Sequence, residues 1–304
     1  MNRPPLRTRI APTPSGFLHL GNLYSFVLTW LIARANRGTV RLRIDDLDAA
    51  RTRIACLEDI FRTLDFIGLV PDEGSSGVED FLQHHSQMHR IENYLQALNG
   101  LKDAGHLYGC SCSRSRILAE NPAGIYPGTC RNRPFDFKAT EMAWRVALPP
   151  DCPIQIKDAI SGQTHLIVLN EEMGDFVVMR KDGLPAYQVA SLADDLFYGI
   201  NMVVRGNDLL TSTAAQLHLS AILGTTAFNA IEWHHHPLIK NEQQQKLSKS
   251  AGDLSVRKMI ENGLKKEDFL IRIAGWLGLP ERPYQSLEDL HSAGSEKGHF
   301  YLIR

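Results

Sequence analysis

The first 70 residues alternate between short strand-like segments and longer apolar-periodic ones, and this alternation constrains the fold more than any other feature. RTRIAP, with residues 8–10 between Arg7 and Pro12, reads as a strand ending in the Pro-rich turn PTPSG. A helix is predicted from about Leu18 to Arg34, and an alternating strand, TVRLRI, at 39–44. DDLD breaks that strand, and residues 51–67 read as another helix. Strands joined through helices of this length must lie side by side by crossovers, which predicts an α/β fold with a mostly parallel sheet.

The character changes further along. Residues 78–104 read as helical and polar-rich, whereas 106–185 hold short, Pro- and Gly-punctuated stretches such as GCSCSR, NPAGIYPGTCRNRP and LPPDCPIQI. That is the pattern of an inserted module of strands and loops. Alternation is expected to resume near 176 with FVVMR, a helix through YQVASLADDL, a strand NMVVRG and a helix over 208–223. The expected division is therefore 1–105, the first half of the α/β domain, and 106–175, the insertion. Its second half would be 176–250, followed by a short helical module over 251–304.

Composition excludes several classes. At 43% apolar and 22% charged residues, the chain is neither disordered nor collagen-like. A net charge of -1 argues against a partner held by bulk positive charge, although a local basic groove can still grip RNA. No apolar run reaches 18 residues and no secretory segment opens the chain, so no membrane association is expected. Five cysteines, few and odd in number, fit a cytoplasmic enzyme better than a disulfide scaffold.

Two segments carry the chemistry. In APTPSGFLHLGN (11–22), Ser15 and Gly16 precede a helix, and His19 and Gly21 fall in or near its first turn. A helix start offers unpaired N–H groups and positive potential to a phosphate. His19 can donate to a phosphate oxygen, and Gly21 lets a flat ring approach the backbone. In KLSKS (246–250), two lysines bracket a serine, and Lys249 can neutralise charge on leaving phosphates. By itself this pattern equally fits a solvated basic loop; with the first segment it fits nucleotidyl transfer.

RIAPTPSGFLHLGN, LRIDDLD, VVRGNDLLTSTAAQ and KLSKS together resemble the catalytic domain of the class I glutamyl-tRNA synthetases, over roughly residues 7–255. The resemblance implies a class I aminoacyl-tRNA synthetase-type Rossmann catalytic domain. Residues 19–22 are similar to the family's His-Ile-Gly-His element, with Asn22 for its last histidine. Residues 246–250 are similar to its Lys-Met-Ser-Lys-Ser loop, with Leu247 for methionine. It implies that ATP, with Mg2+, binds at His19, Gly21, Asn22, Lys246, Ser248 and Lys249, with His19 and Lys249 catalytic. Glutamate would be held by Arg9, Arg205 and Tyr187, with Asp45 facing its ammonium where glutamate is usual. Ala11, in the same pocket, replaces a usual serine. A guanidinium suits a carboxylate because its donors form a planar fork. Asp194–Asp195 is expected to be structural, and Asp208 to cap a helix start.

Cys110 and Cys112, with Cys130 18 positions on, provide three thiolates that want a fourth zinc ligand. His106 and Cys152 are chemical candidates. The arrangement with Tyr126 resembles the zinc site of the truncated glutamyl-queuosine tRNA(Asp) synthetases, which implies structural zinc on Cys110, Cys112, Tyr126 and Cys130. Arg114, Arg116, Arg131 and Arg133 would then be candidate phosphate contacts, while His84, His85, His89 and His234–His236 lack partners for a metal set. Some 54 residues follow Ser250, fewer than the anticodon-reading region of full-length relatives needs. The resemblance to the truncated relatives implies queuosine of tRNA(Asp) as the acceptor, and the protein is expected to be a monomer that takes L-glutamate and ATP. A short tRNA(Glu)-charging enzyme and a catalytically inactive zinc-stabilised RNA-binding relative stand as alternatives.

Overall fold

The computed structural model describes residues 4–48, 51–239 and 255–296, with 298, 300 and 302. β1 (Arg7–Ile10) pairs in parallel with β2 (Thr39–Leu42) across the crossover helix α1 (Leu20–Ala35). β2 in turn pairs in parallel with β3 (Glu73–Gly74), reached through α2 (Ile54–Ile67). α1 is buried along most of its length, from Leu20 to Ala33, which suits a helix apolar on nearly every face.

The single helix expected over 78–104 is broken. α3 (Val78–Asp80) runs into a π turn at Phe81–His85, and a 3-10 turn at Gln87–Arg90 leads into α4 (Ile91–Asp103). The cause is the buried carboxylate of Asp46. It accepts from Ser86 Oγ at 2.6 Å and from the Gln87 N–H at 2.8 Å, so Ser86 turns extended (ψ 143°).

The insertion holds β4 (Leu107–Cys110), α5 (Arg114–Glu120), β5 (Ala143–Val146), β6 (Pro153–Lys157), β7 (Thr164–Val168), α6 (Leu169–Glu172) and β8 (Val177–Met179). β4, β5 and β8 form one antiparallel sheet, and β6 and β7 a hairpin. FVVMR therefore does not reopen the parallel alternation: β8 pairs antiparallel with β5, Trp144 opposite Met179. Alternating apolarity reports which faces are buried, not which neighbour supplies the hydrogen bonds.

The parallel pattern resumes after α7 (Tyr187–Phe197). β9 (Met202–Gly206), a 3-10 turn at Asn207–Leu209, α8 (Leu210–Leu223), α9 (Thr226–Asn229) and β10 (Glu232–His236) follow, with β10 parallel to β9. β9 lies beside β1: the Asn201 N–H donates to Arg7 O at 3.0 Å, and the Arg7 N–H to Asn201 Oδ1 at 2.8 Å. The spatial order β3-β2-β1-β9-β10 reverses direction between β1 and β9, the switch point at which doubly wound sheets open a crevice.

Finally, α11 (Lys266–Trp276) and α12 (Leu287–Ser295) pack on α1, and α10 (Val256–Glu261) on α2. Tyr24 meets Trp276 edge to face, Trp30 meets His291, and Asn36 Nδ2 donates to Phe300 O at 2.9 Å. These helices share one hydrophobic core with β1, β2 and α1; the insertion shares a second with α7, α8 and β9.

Candidate active site

The crevice at the carboxyl ends of β1 and β9 is lined by Arg9, Ile10 and Ala11, then by His19, Gly21, Asn22, Ser25, Phe26 and Thr29. The opposite wall is Tyr187, Val204, Arg205, Gly206, Asp208 and Leu209, closed by His236, Leu238 and Ile239. Seven residues singled out from the sequence thus line one cavity: Arg9, Ala11, His19, Gly21, Asn22, Tyr187 and Arg205.

His19 caps α1. Its Nδ1 accepts from the Asn22 N–H at 3.3 Å while Asn22 Oδ1 accepts from the His19 N–H at 3.1 Å. A ring nitrogen that accepts carries no proton, so the neutral ring is protonated at Nε2, which is thereby a donor. No acidic side chain occupies the first turn of α1, leaving its positive end uncompensated by that turn. Gly21 is also constrained by the histidine ring itself. A Cβ there would stand 3.1 Å from His19 Cε1 and Nδ1, so any side chain presses on the histidine ring.

Beneath the cavity lies a buried charge network. Arg9 Nε donates to Asp195 Oδ1 at 3.0 Å, and Arg43 Nη1 to the same oxygen at 2.7 Å. Arg43 also grips Asp45 in a fork of 2.7 and 3.0 Å. Asp194 accepts from Arg90, Gln87 and Tyr94. Three guanidinium groups (Arg9, Arg43, Arg90) thus face three carboxylates (Asp45, Asp194, Asp195), and the aspartate pair is structural, as its position before LFYGI implied. Asp45 is occupied by Arg43 and is not among the residues lining the cavity.

Arg205 stands apart from this balance. It is 4% exposed and makes no ion pair among the described residues. Its partners are the hydroxyl of Thr213 (3.1 Å to Nε), Gln216 Oε1 at 3.0 Å and the Tyr187 hydroxyl at 3.4 Å, with the Trp233 ring 4.9 Å away. Burial, with repulsion from Arg9, outweighs the opposing pull of Tyr187 and Asp195 and brings its pKa down to about 10, so the group stays cationic near neutral pH. A buried cation without a counter-charge is costly unless an anion arrives.

Sequence reasoning missed Asp208 as a wall residue. It was expected to cap a helix, yet the N-cap of its turn is Gly206 and no side-chain cap bond forms there; Asp208 is the carboxylate of the cavity lining. The spacing RGND looked like a helix start, and nothing in it distinguishes a capping aspartate from one facing a ligand. Lys246, Ser248 and Lys249 lie outside the described residues. Of the described residues flanking that segment, Ile239 lines the cavity and the Val256 N–H donates to Leu18 O at 2.8 Å, one residue from His19.

The insertion holds a separate cluster. The sulfurs of Cys110, Cys112 and Cys130, all buried, lie within 4.8 Å of one another, with Cys112 Sγ 3.6 Å from Cys130 Sγ. Tetrahedral zinc with sulfur at ~2.3 Å sets sulfurs ~3.8 Å apart, so the donor set fits a metal ion. The Tyr126 hydroxyl stands 3.4 Å from Cys110 Sγ and 3.9 Å from Cys112 Sγ, and accepts from the Cys130 N–H at 2.8 Å. Gly174 lets the Tyr126 backbone approach: its φ is +63°, and a Cβ there would meet Tyr126 O at 2.7 Å. Burial pushes the phenol up, with the thiols beside it adding to the rise. Burial also works against the Cys130 thiolate, but hydrogen bonds from Tyr126 and Cys112 bring that thiol down to about 7. Neither His106 nor Cys152 joins the cluster; Cys152 Sγ sits 3.5 Å from His218 Nδ1. Of the four nearby arginines, Arg131 is held by Asp175 and Arg116 by Glu120, while Arg114 and Arg133 are exposed.

A reversed-order parallel sheet whose crevice joins a helix start with no acidic residue in its first turn to a buried guanidinium that makes no ion pair among the described residues defines a nucleotide-fold α/β protein built for anionic ligands. Within that class, the chain belongs to the class I tRNA synthetases for glutamate and glutamine (E and Q), whose catalytic domain it matches over residues 5–287. It is 40% identical to the glutamyl-Q tRNA(Asp) synthetase of Cupriavidus metallidurans over 255 residues, covering 81% of this chain and 77% of that relative. It is 34% identical to glutamate–tRNA ligase 2 of Syntrophus aciditrophicus over 287 residues, covering 90% of this chain and 58% of that relative. The glutamate–tRNA synthetase of Elizabethkingia anophelis has a similar structure, with a TM-score of 0.76 at 26% identity. That match covers 95% of this chain and 66% of the solved one. The family expected from the four motifs is the family that matches.

Proposed function

We propose that this chain activates L-glutamate with ATP as glutamyl-adenylate and transfers the glutamyl group to the queuosine base of tRNA(Asp). The observation that carries the first half is Arg205, a buried cation with only neutral hydrogen-bond partners among the described residues, in a cavity that also holds the start of α1. A substrate carboxylate supplies the missing counter-charge. In this reading a second carboxylate, the α-carboxylate, attacks the α-phosphorus of ATP. The bond from that phosphorus to the bridging oxygen breaks and pyrophosphate leaves. No general base is needed, because the nucleophile is already ionised. His19 Nε2–H and the N–H groups of α1 donate to the phosphates, Lys249 joins them, and Mg2+ accompanies the triphosphate. Asp208 offers an acceptor to the ammonium or to a ribose hydroxyl.

In the second half a hydroxyl of queuosine attacks the carbonyl carbon, AMP leaves and the proton passes to solvent. This acceptor is supported by relatives named glutamyl-Q tRNA(Asp) synthetase at 37–42% identity. Esterification of the terminal ribose of tRNA(Glu) is the second reading, favoured by the 34% identity to glutamate–tRNA ligase 2.

In this reading the cysteine cluster holds one zinc ion through Cys110, Cys112, Cys130 and the Tyr126 oxygen. Four protein donors leave no open position, so the ion supplies cross-linking of the insertion and no chemistry. ATP–pyrophosphate exchange tests the activation step, run with and without tRNA. Exchange that requires L-glutamate and disappears in Arg205→Ala is expected; no exchange under either condition contradicts it.

A further inference from the structure

Three elements converge around the Arg205 guanidinium, and each brings an uncharged group. From α8, Thr213 and Gln216 accept its protons; from α7, the Tyr187 hydroxyl does; from β10, His235 Nε2 lies 2.7 Å from Thr213 Oγ1. Burial, reinforced by Arg205 itself, pushes His235 down to about 3, so its ring is neutral near pH 7.

Gln216 is the informative member. It is fully buried, and only its oxygen can accept from a guanidinium, which turns the amide nitrogen away. Gln216 Nε2 has no hydrogen-bond partner among the described residues. A buried unpaired N–H group is destabilising, and a glutamate of nearly the same size would avoid it while forming a fork with Arg205. The amide makes sense if neutralising Arg205 is what the site avoids.

We propose that Gln216, with the Thr213–His235 pair, is a specificity-determining collar that holds Arg205 through neutral acceptors and so reserves its charge for an acidic substrate side chain. The proposal rests on the glutamate reading for its substrate, while the charge logic applies to any carboxylate that enters. Tyr187 closes the collar on the exposed side of the cavity.

The test is isothermal titration of the full chain with L-glutamate, with glutarate and with the glutarate monoamide, beside thermal melting, ATP binding and glutamate-dependent exchange. Gln216→Glu places a carboxylate on Arg205, so binding of both acids should weaken on the order of 100-fold or more, since like charges set side by side cost several kcal/mol. Gln216→Met removes the acceptor but leaves the charge, and should lose no more than about 10-fold. ATP binding should survive in both. Unchanged acid binding in Gln216→Glu, or equal losses in the two variants, overturns the collar. Wild type keeps the proposal testable even if a variant folds poorly: it must prefer glutarate to its monoamide, and equal binding, or binding of neither acid, also overturns it. Acid binding with the expected order but without exchange overturns the activation reading instead and leaves the collar standing.

Discussion

Gly21 shows how a site can depend on the absence of an atom. Alanine there gains helix propensity, up to ~1 kcal/mol, so Gly21→Ala should melt no lower than wild type. Its Cβ would nonetheless stand 3.1 Å from the His19 ring. Exchange is expected to fall on the order of 10–100-fold, because small misplacements of positioning groups are costly. Unchanged exchange would mean that His19 tolerates the shift. Asp45 makes the opposite case. Its carboxylate is committed to Arg43 at 2.7 and 3.0 Å, so Asp45→Asn should cost about 3 kcal/mol in urea unfolding by leaving three buried guanidinium groups to share two carboxylates. Stability equal to wild type would show that Arg43 does not need it. Local motifs made His19, Gly21 and Asn22 legible, because a helix start is encoded by adjacent residues. Asp45 and Asp208 were not legible in this way. An aspartate's partner is chosen by residues far along the chain, and Arg43 looked like one more outward side chain of an alternating strand.

At the scale of elements, the hairpin β6–β7 is joined to β10 through Asp158. This buried carboxylate accepts from His234 Nδ1 at 3.0 Å, from the His235 N–H at 2.8 Å and from the Ser161 N–H at 2.7 Å. Burial alone would raise its pKa; His234 and the backbone donors outweigh that and hold it well below the usual carboxylate range. A depressed folded pKa stabilises above the unfolded value and loses that stabilisation as pH falls toward the folded one. Asp158→Asn should therefore cost about 1–3 kcal/mol near neutral pH, and progressively less below pH ~4. Urea titrations at several pH values check this, and a pH-independent loss would contradict it. The cysteine cluster gives a second element-scale prediction. Tyr126→Phe keeps the ring under the Arg145 guanidinium, 3.8 Å from its centroid, but removes the oxygen. Zinc affinity, read with a chromogenic chelator, should drop by at least the ~10–100-fold that weaker supporting contacts are worth. Equal affinity would remove Tyr126 from the ligand set. The alternation of the first strands and helices was readable because each face repeats locally. The pairing of β8 and the break at Ser86 were not, since both are decided by residues distant in sequence, β5 and Asp46.

At the scale of the molecule, one crevice arises because the order of strands reverses between β1 and β9, which brings Arg9 and Arg205, 196 positions apart, to the same cavity. The motif order in the sequence anticipated that convergence. It did not reveal that Arg9 is paired with Asp195 while Arg205 makes no ion pair among the described residues, because a motif does not say which of its acceptors turns toward which guanidinium. The C-terminal helices join the core of β1 and α1, so the cavity wall and that helical module are parts of one packed body among the described residues. The most direct test of the whole account follows labelled glutamate into RNA. The protein is incubated with ATP, L-glutamate and tRNA(Asp) that contains or lacks queuosine, each with or without its terminal adenosine, and the digested nucleosides are separated by mass spectrometry. Label should appear on the queuosine nucleoside, require queuosine, and ignore loss of the terminal adenosine. Label that needs the terminal adenosine and is indifferent to queuosine would contradict the account.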